Sequence, residues 1–74
     1  MAPLRPLPYR EIKRKLEAAG FNVVGQKGSH VKFAMRTDEG LRTATVPHHR
    51  EVSVGTVRSI LRQAGLEPEA FEKL

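Results

Sequence analysis

The chain has 74 residues and no cysteine, and its 13 Lys or Arg against 8 Asp or Glu give a net charge of +5. A chain this short forms one small domain with a thin core, and the lack of cysteine excludes disulfides and cysteine-based zinc sites. The charge is uneven, because residues 1–65 carry twelve basic and five acidic side chains whereas residues 66–74 carry one Lys and three Glu. A body this basic attracts polyanions such as nucleic acid.

Prolines at positions 3, 6 and 8 predict a flexible Pro-rich arm over residues 1–8, followed by a single domain over residues 9–74. No apolar run is long enough for a membrane helix or a signal peptide. We therefore expect a cytoplasmic protein with no membrane partner.

The first predicted element is an amphipathic helix that begins at Tyr9 and ends at Gly20. Its apolar positions recur at helical spacing, and charged side chains occupy the others: Arg10, Lys13, Arg14, Lys15 and Glu17. Residues 21–26 and 30–36 then predict two strands joined by a turn at Gly28 and Ser29. Residues 41–46 predict a third strand, which Pro47 ends because proline cannot donate within a ladder.

A second helix is predicted from the N-cap Ser53 to Gly65, with apolar side chains along one face. A short terminal helix follows from Pro68, with Phe71 and Leu74 placed to cover the edge of the core. The order αβββα predicts an α+β fold, in which helices cover one face of a three-stranded antiparallel sheet and the other face meets water.

Alternation in the second strand decides which way its histidine points. The apolar face carries Val31, Phe33 and Met35, and the opposite face carries His30, Lys32 and Arg36. Free imidazole titrates near pH 6.5, so a solvent-facing histidine among cations suits proton transfer on a phosphate-bearing substrate. An ordinary surface histidine remains the alternative.

Other candidates surround His30. Lys27 and Lys32 are placed to neutralise phosphate charge, and Gly28 and Ser29 offer backbone amides at a turn that can hold an anion. His48 and His49 are candidates for a second proton carrier or phosphate donor, although adjacent side chains on an extended segment point apart, so at most one faces the site.

The sequence lacks the motifs of several reaction classes. The three histidines do not have zinc-ligand spacing, and neither a phosphate-binding loop nor a serine nucleophile elbow is present. We therefore expect chemistry that needs neither metal nor cofactor.

Three segments resemble the HicA toxins, messenger-RNA interferases of bacterial and archaeal toxin–antitoxin pairs: residues 16–21, residues 26–30 with the following strand, and residues 46–49 leading to 55–66. The resemblance implies a double-stranded-RNA-binding-domain-like fold and an endoribonuclease, a hydrolase of RNA phosphodiester bonds, whose single catalytic histidine is His30. It also implies that a HicB-type antitoxin neutralises the protein. With that implied activity, His30 would activate a ribose 2′-hydroxyl while Lys27 and Lys32 steady the phosphate charge.

Two alternatives stay open. A non-catalytic RNA-binding module of the same fold would use His30 and the lysines only to line a phosphate track. A DNA-binding protein would use residues 53–65 as a recognition helix with Arg58 and Arg62 on its outer face, but no partner helix for a helix-turn-helix is evident.

Overall fold

A computed structural model describes residues 3–74, so Met1 and Ala2 of the predicted arm lie outside the described residues. In chain order the elements are α1 (Tyr9–Ala19), β1 (Asn22–Lys27), β2 (His30–Thr37), β3 (Gly40–Pro47), α2 (Val54–Ala64) and α3 (Pro68–Glu72). The predicted α+β arrangement, αβββα with a short C-terminal helix, is therefore confirmed. No helix in this described range is both long and apolar enough to cross a membrane.

The sheet is an antiparallel meander in the order β1-β2-β3, with β2 at its centre. Gly28 and Ser29 form a two-residue loop between Lys27 and His30, which face each other across the first hairpin. Gly28 has a φ of 59°, the positive angle that the first residue of a type II′ hairpin turn requires. The predicted turn thus has a backbone reason for its glycine.

Both long helices begin and end at signals in the sequence. Gly20 adopts a φ of 111° after α1, and the Phe21 N–H donates to the Leu16 carbonyl at 2.9 Å. The Ser53 hydroxyl accepts from the Thr56 N–H at the start of α2. These caps satisfy backbone groups that a helix end leaves without partners.

The core lies between the helices and one face of the sheet. Its buried apolar side chains come from the three helices, from β2 and β3 and from the segments between elements, whereas β1 contributes none: Leu7, Ile12, Leu16, Phe21, Val31, Phe33, Ala44, Val46, Val52, Val57, Ile60, Leu61, Ala64 and Phe71. On the opposite face, the side chains of His30, Lys32, Arg36 and Thr45 are exposed. The predicted division of the sheet into a covered and a wet face is confirmed.

The end of the predicted arm, next to α1, pairs with a distant part of the chain. Leu7 is buried, and it forms an antiparallel bridge with Val52 in which the N–H of each residue donates to the carbonyl of the other, at 3.1 and 2.7 Å. Pro8 then caps the start of α1. Extended backbone favoured by the prolines is what lets Leu7 pair as a strand does, and the flexibility of the arm stays a prediction.

Lys15 is the one charged side chain in the described residues that is buried. Its ammonium donates to the carbonyl oxygens of Phe71, Glu72 and Leu74 at 3.1, 3.3 and 3.2 Å, and it lies 5.1 Å from the centroid of the Phe71 ring. A lysine of α1 therefore completes the hydrogen bonding at the end of α3, which helical spacing alone does not reveal.

Candidate active site

His30 begins β2 on the uncovered face of the sheet, and its side chain is exposed. Its neighbours across the ladder are Lys27 on β1 and Pro47 on β3. Burial of Val31 and Phe33, at 1% and 0% exposure, fixes this orientation because a slip of one residue would exchange the two faces. The hydrophobic core thus determines that the imidazole meets solvent.

Cations flank this imidazole. Residues directly opposite in an antiparallel pair have Cβ atoms about 4.5–5.5 Å apart on the same face, which places Lys27 beside His30. Lys32 lies two residues along β2 on that face, and Arg36 lies farther along the strand. The ion pairs formed within residues 3–74 are Lys13 with Glu17 and Arg14 with Glu11, both on α1. The lysines of the sheet therefore keep their positive charge available to an anion.

Two hydrogen bonds hold the turn before His30. The Gln26 side-chain amide donates to the Gly28 carbonyl at 3.0 Å, and the His48 N–H donates to the Ser29 carbonyl at 2.6 Å. Lys27, Gly28, Ser29, His30 and Lys32 therefore lie together at one end of the sheet. Their roles in binding phosphate remain predictions.

His48 turns away from this face and towards α1. Its ring packs on the ring of Tyr9 with centroids 4.0 Å apart and an angle of 30° between the planes. His49 is exposed and makes no such ring contact in the described part of the chain, although its carbonyl accepts the Tyr9 N–H at 3.1 Å. Alternation past Pro47 explains why His48 and His30 lie on different sides of the sheet.

Tyr9 is the aromatic residue that sequence reasoning did not connect to the site. Partial burial raises its pKa above the usual 10.0, and the negative charge of Glu17 raises it further. The sequence around Tyr9 does not predict its contact with His48, because the two residues are almost forty positions apart in the chain. Across residues 3–74, no group of three His, Asp or Glu side chains converges where a metal ion could be held.

The chain matches a known protein family over most of its length. The family model for the HicA toxin of bacterial toxin–antitoxin systems matches residues 9–66, which include both hairpins and the two long helices. No curated protein matches the chain significantly. The protein is thus a toxin of a toxin–antitoxin system, and the chain belongs to the HicA toxin family. The resemblance predicted from the sequence is confirmed.

Proposed function

We propose that this toxin is a metal-independent endoribonuclease that cleaves messenger RNA, with His30 as its catalytic residue. The observation that carries the proposal is an exposed imidazole on the uncovered sheet face, with Lys27 opposite and Lys32 two residues away. Positive charge beside a proton carrier is what cleavage of a phosphodiester needs.

In the proposed reaction, His30 accepts the proton of a ribose 2′-hydroxyl as that oxygen attacks the adjacent phosphorus. The bond from phosphorus to the 5′ oxygen breaks, leaving a 2′,3′-cyclic phosphate on one product and a 5′-hydroxyl on the other once the leaving oxygen has taken up a proton. Lys27 and Lys32 stabilise the additional negative charge that develops on the phosphate oxygens, and the amides of Gly28 and Ser29 supply further donors.

Neutralisation follows from the same geometry. A HicB-type antitoxin that covers the uncovered sheet face would remove His30 and the lysines from contact with messenger RNA. The site of action is the cytoplasm, where its messenger-RNA substrate and its antitoxin are both present.

The test compares the intact protein with His30→Ala on RNA and on the matching DNA, with and without EDTA. We expect His30→Ala to slow cleavage by about 10²- to 10⁴-fold with RNA affinity unchanged, since general acid–base assistance has that magnitude. Arg58→Ala, an exposed cation on α2, is the control and should leave both quantities within about twofold. Efficient cutting of DNA, or loss of activity in EDTA, would contradict the proposal.

The alternative is a non-catalytic RNA-binding module on the same face. It shares the exposed His30 and the lysines, so binding alone does not separate the two functions. An intact protein that binds RNA in a Lys27- and Lys32-dependent manner and never cuts it would establish the module instead.

A further inference from the structure

A groove opens at the end of the sheet where β2 begins and β3 ends. It has a volume of about 720 Å³ and is lined by Tyr9, Arg10, His48, His49, Arg50 and Glu51, together with Pro8. Cavities of about 300–1,000 Å³ hold small-molecule ligands, so a single nucleotide fits this space. Arg10 and Arg50 are exposed at the groove and outnumber its one acid, Glu51.

The groove contains a supported aromatic surface. The Tyr9 ring is close to two other rings, with its centroid 6.4 Å from that of Phe33 and 4.0 Å from that of His48. Phe33 is fully buried, whereas the His48 side chain is exposed. The core therefore supports Tyr9, and Tyr9 in turn supports an imidazole that meets solvent.

This surface lies next to the candidate active site. Pro47, the residue before His48, faces His30 across the ladder, and the His48 N–H bonds to the carbonyl of Ser29. His30 and His48 thus lie on opposite sides of the same end of the sheet, because His30 pairs with Pro47 and His48 is the next residue along the chain. A nucleic acid strand must therefore pass around this end of the sheet to contact both side chains.

We propose that His48, supported by Tyr9, stacks on the base of a nucleotide that neighbours the cleaved phosphate, while Arg10 and Arg50 contact its phosphate groups. The ligand named here rests on the proposed ribonuclease function. Imidazole and phenol rings stack on bases that are free of pairing, and arginine binds phosphate through charge-assisted hydrogen bonds. The substrate is therefore single-stranded RNA, and His48 binds it without carrying a proton in the reaction.

The binding test uses the His30→Ala protein, so that RNA stays intact, and a fluorescently labelled six-nucleotide RNA. His48→Ala should raise the dissociation constant about 5- to 150-fold, the range for losing one stacked base. His48→Phe keeps a ring without a titratable proton and should stay within about threefold. Leu41→Ala, at the far end of β3, is the control for removing an exposed side chain and should have no effect. A blunt duplex of the same sequence should bind equally to all four proteins.

The kinetic test uses proteins with His30 present. His48→Phe should retain kcat and the pH profile of cleavage, whereas His48→Ala should raise KM. If His48→Ala does not fold, His48→Leu fills a similar volume without a π face and replaces it. The proposal is overturned if Phe is as deleterious as Ala, if kcat falls in the Phe variant, or if neither variant changes binding. A protein that never cuts RNA but binds it through His48 overturns only the ribonuclease proposal, and cleavage with His48-independent binding overturns only the stacking subsite.

Discussion

Replacing Lys15 with alanine should destabilise the fold far more than replacing a neighbouring lysine of the same helix. The buried ammonium donates to three carbonyl oxygens at the end of α3, those of Phe71, Glu72 and Leu74, and lies against the Phe71 ring. Lys15→Ala removes these contacts at once and leaves a space where the lysine stem was buried.

The magnitude follows from the individual contacts. Hydrogen bonds to a charged group contribute about 1.5–3 kcal/mol each. Two effects reduce the loss in the variant: the released carbonyl groups bond to water, and alanine avoids the side-chain entropy of about 2 kcal/mol that lysine loses on folding. A net loss of about 2–4 kcal/mol in the free energy of unfolding remains. For a domain of this size that loss lowers the melting temperature by about 10–25 °C.

The assay is urea and thermal unfolding followed by far-ultraviolet circular dichroism. Lys13→Ala is the matched control, because Lys13 is half-exposed on the same helix and, among residues 3–74, its one ion pair is with Glu17, at 3.8 Å. Such a surface pair contributes less than about 0.5 kcal/mol, and the two variants share the same gain in helix propensity. Equal stabilities for the two variants would refute the role assigned to Lys15.

Three further outcomes are expected. Gly28→Ala should lower the free energy of unfolding by about 1–3 kcal/mol, because residues with a side chain rarely adopt its φ of 59°. An added Cβ meets no atom within 4 Å, so the cost is backbone strain alone, and an unchanged midpoint in urea would contradict it. Tyr9 is the only tyrosine and the chain lacks tryptophan, so absorbance near 295 nm reports its ionisation directly. Because burial and Glu17 raise its pKa, the stabilisation it contributes is complete below pH 10 and is lost as pH rises through the folded-state value; ionisation at or below pH 10 would contradict the raised pKa. Lys27→Gln and Lys32→Gln should each reduce the slope of log affinity for RNA against log salt by about one, whereas a neutralised arginine on α2 should not.

Local sequence signals were sufficient for the element order and for the orientation of His30. Glycine and serine at the helix ends, and alternation along β2, each act within a few residues, so the chain itself displays them. Lys27, Gly28, Ser29 and Lys32 then come together because the two-residue turn fixes the register of the first hairpin.

Contacts between distant segments could not be predicted in this way. Lys15 shares the i, i+3, i+4, i+7 stripe of α1 with Ile12, Leu16 and Ala19, so its burial follows the helical period. Its hydrogen-bond partners on α3, more than fifty residues later, could not be predicted from that spacing. The packing of His48 on Tyr9 likewise depends on where the loop after β3 meets α1. In both cases the sequence does not identify the distant partner of the contact.

The bridge between Leu7 and Val52 has a practical consequence for handling the protein. It joins the segment before α1 to the loop between β3 and α2, which carries His48, His49 and Arg50. Trimming the amino end past Leu7 would loosen that connection while both hairpins keep their ladders. Expression vectors should therefore place any fusion partner before residue 3, so that the bridge between Leu7 and Val52 still forms.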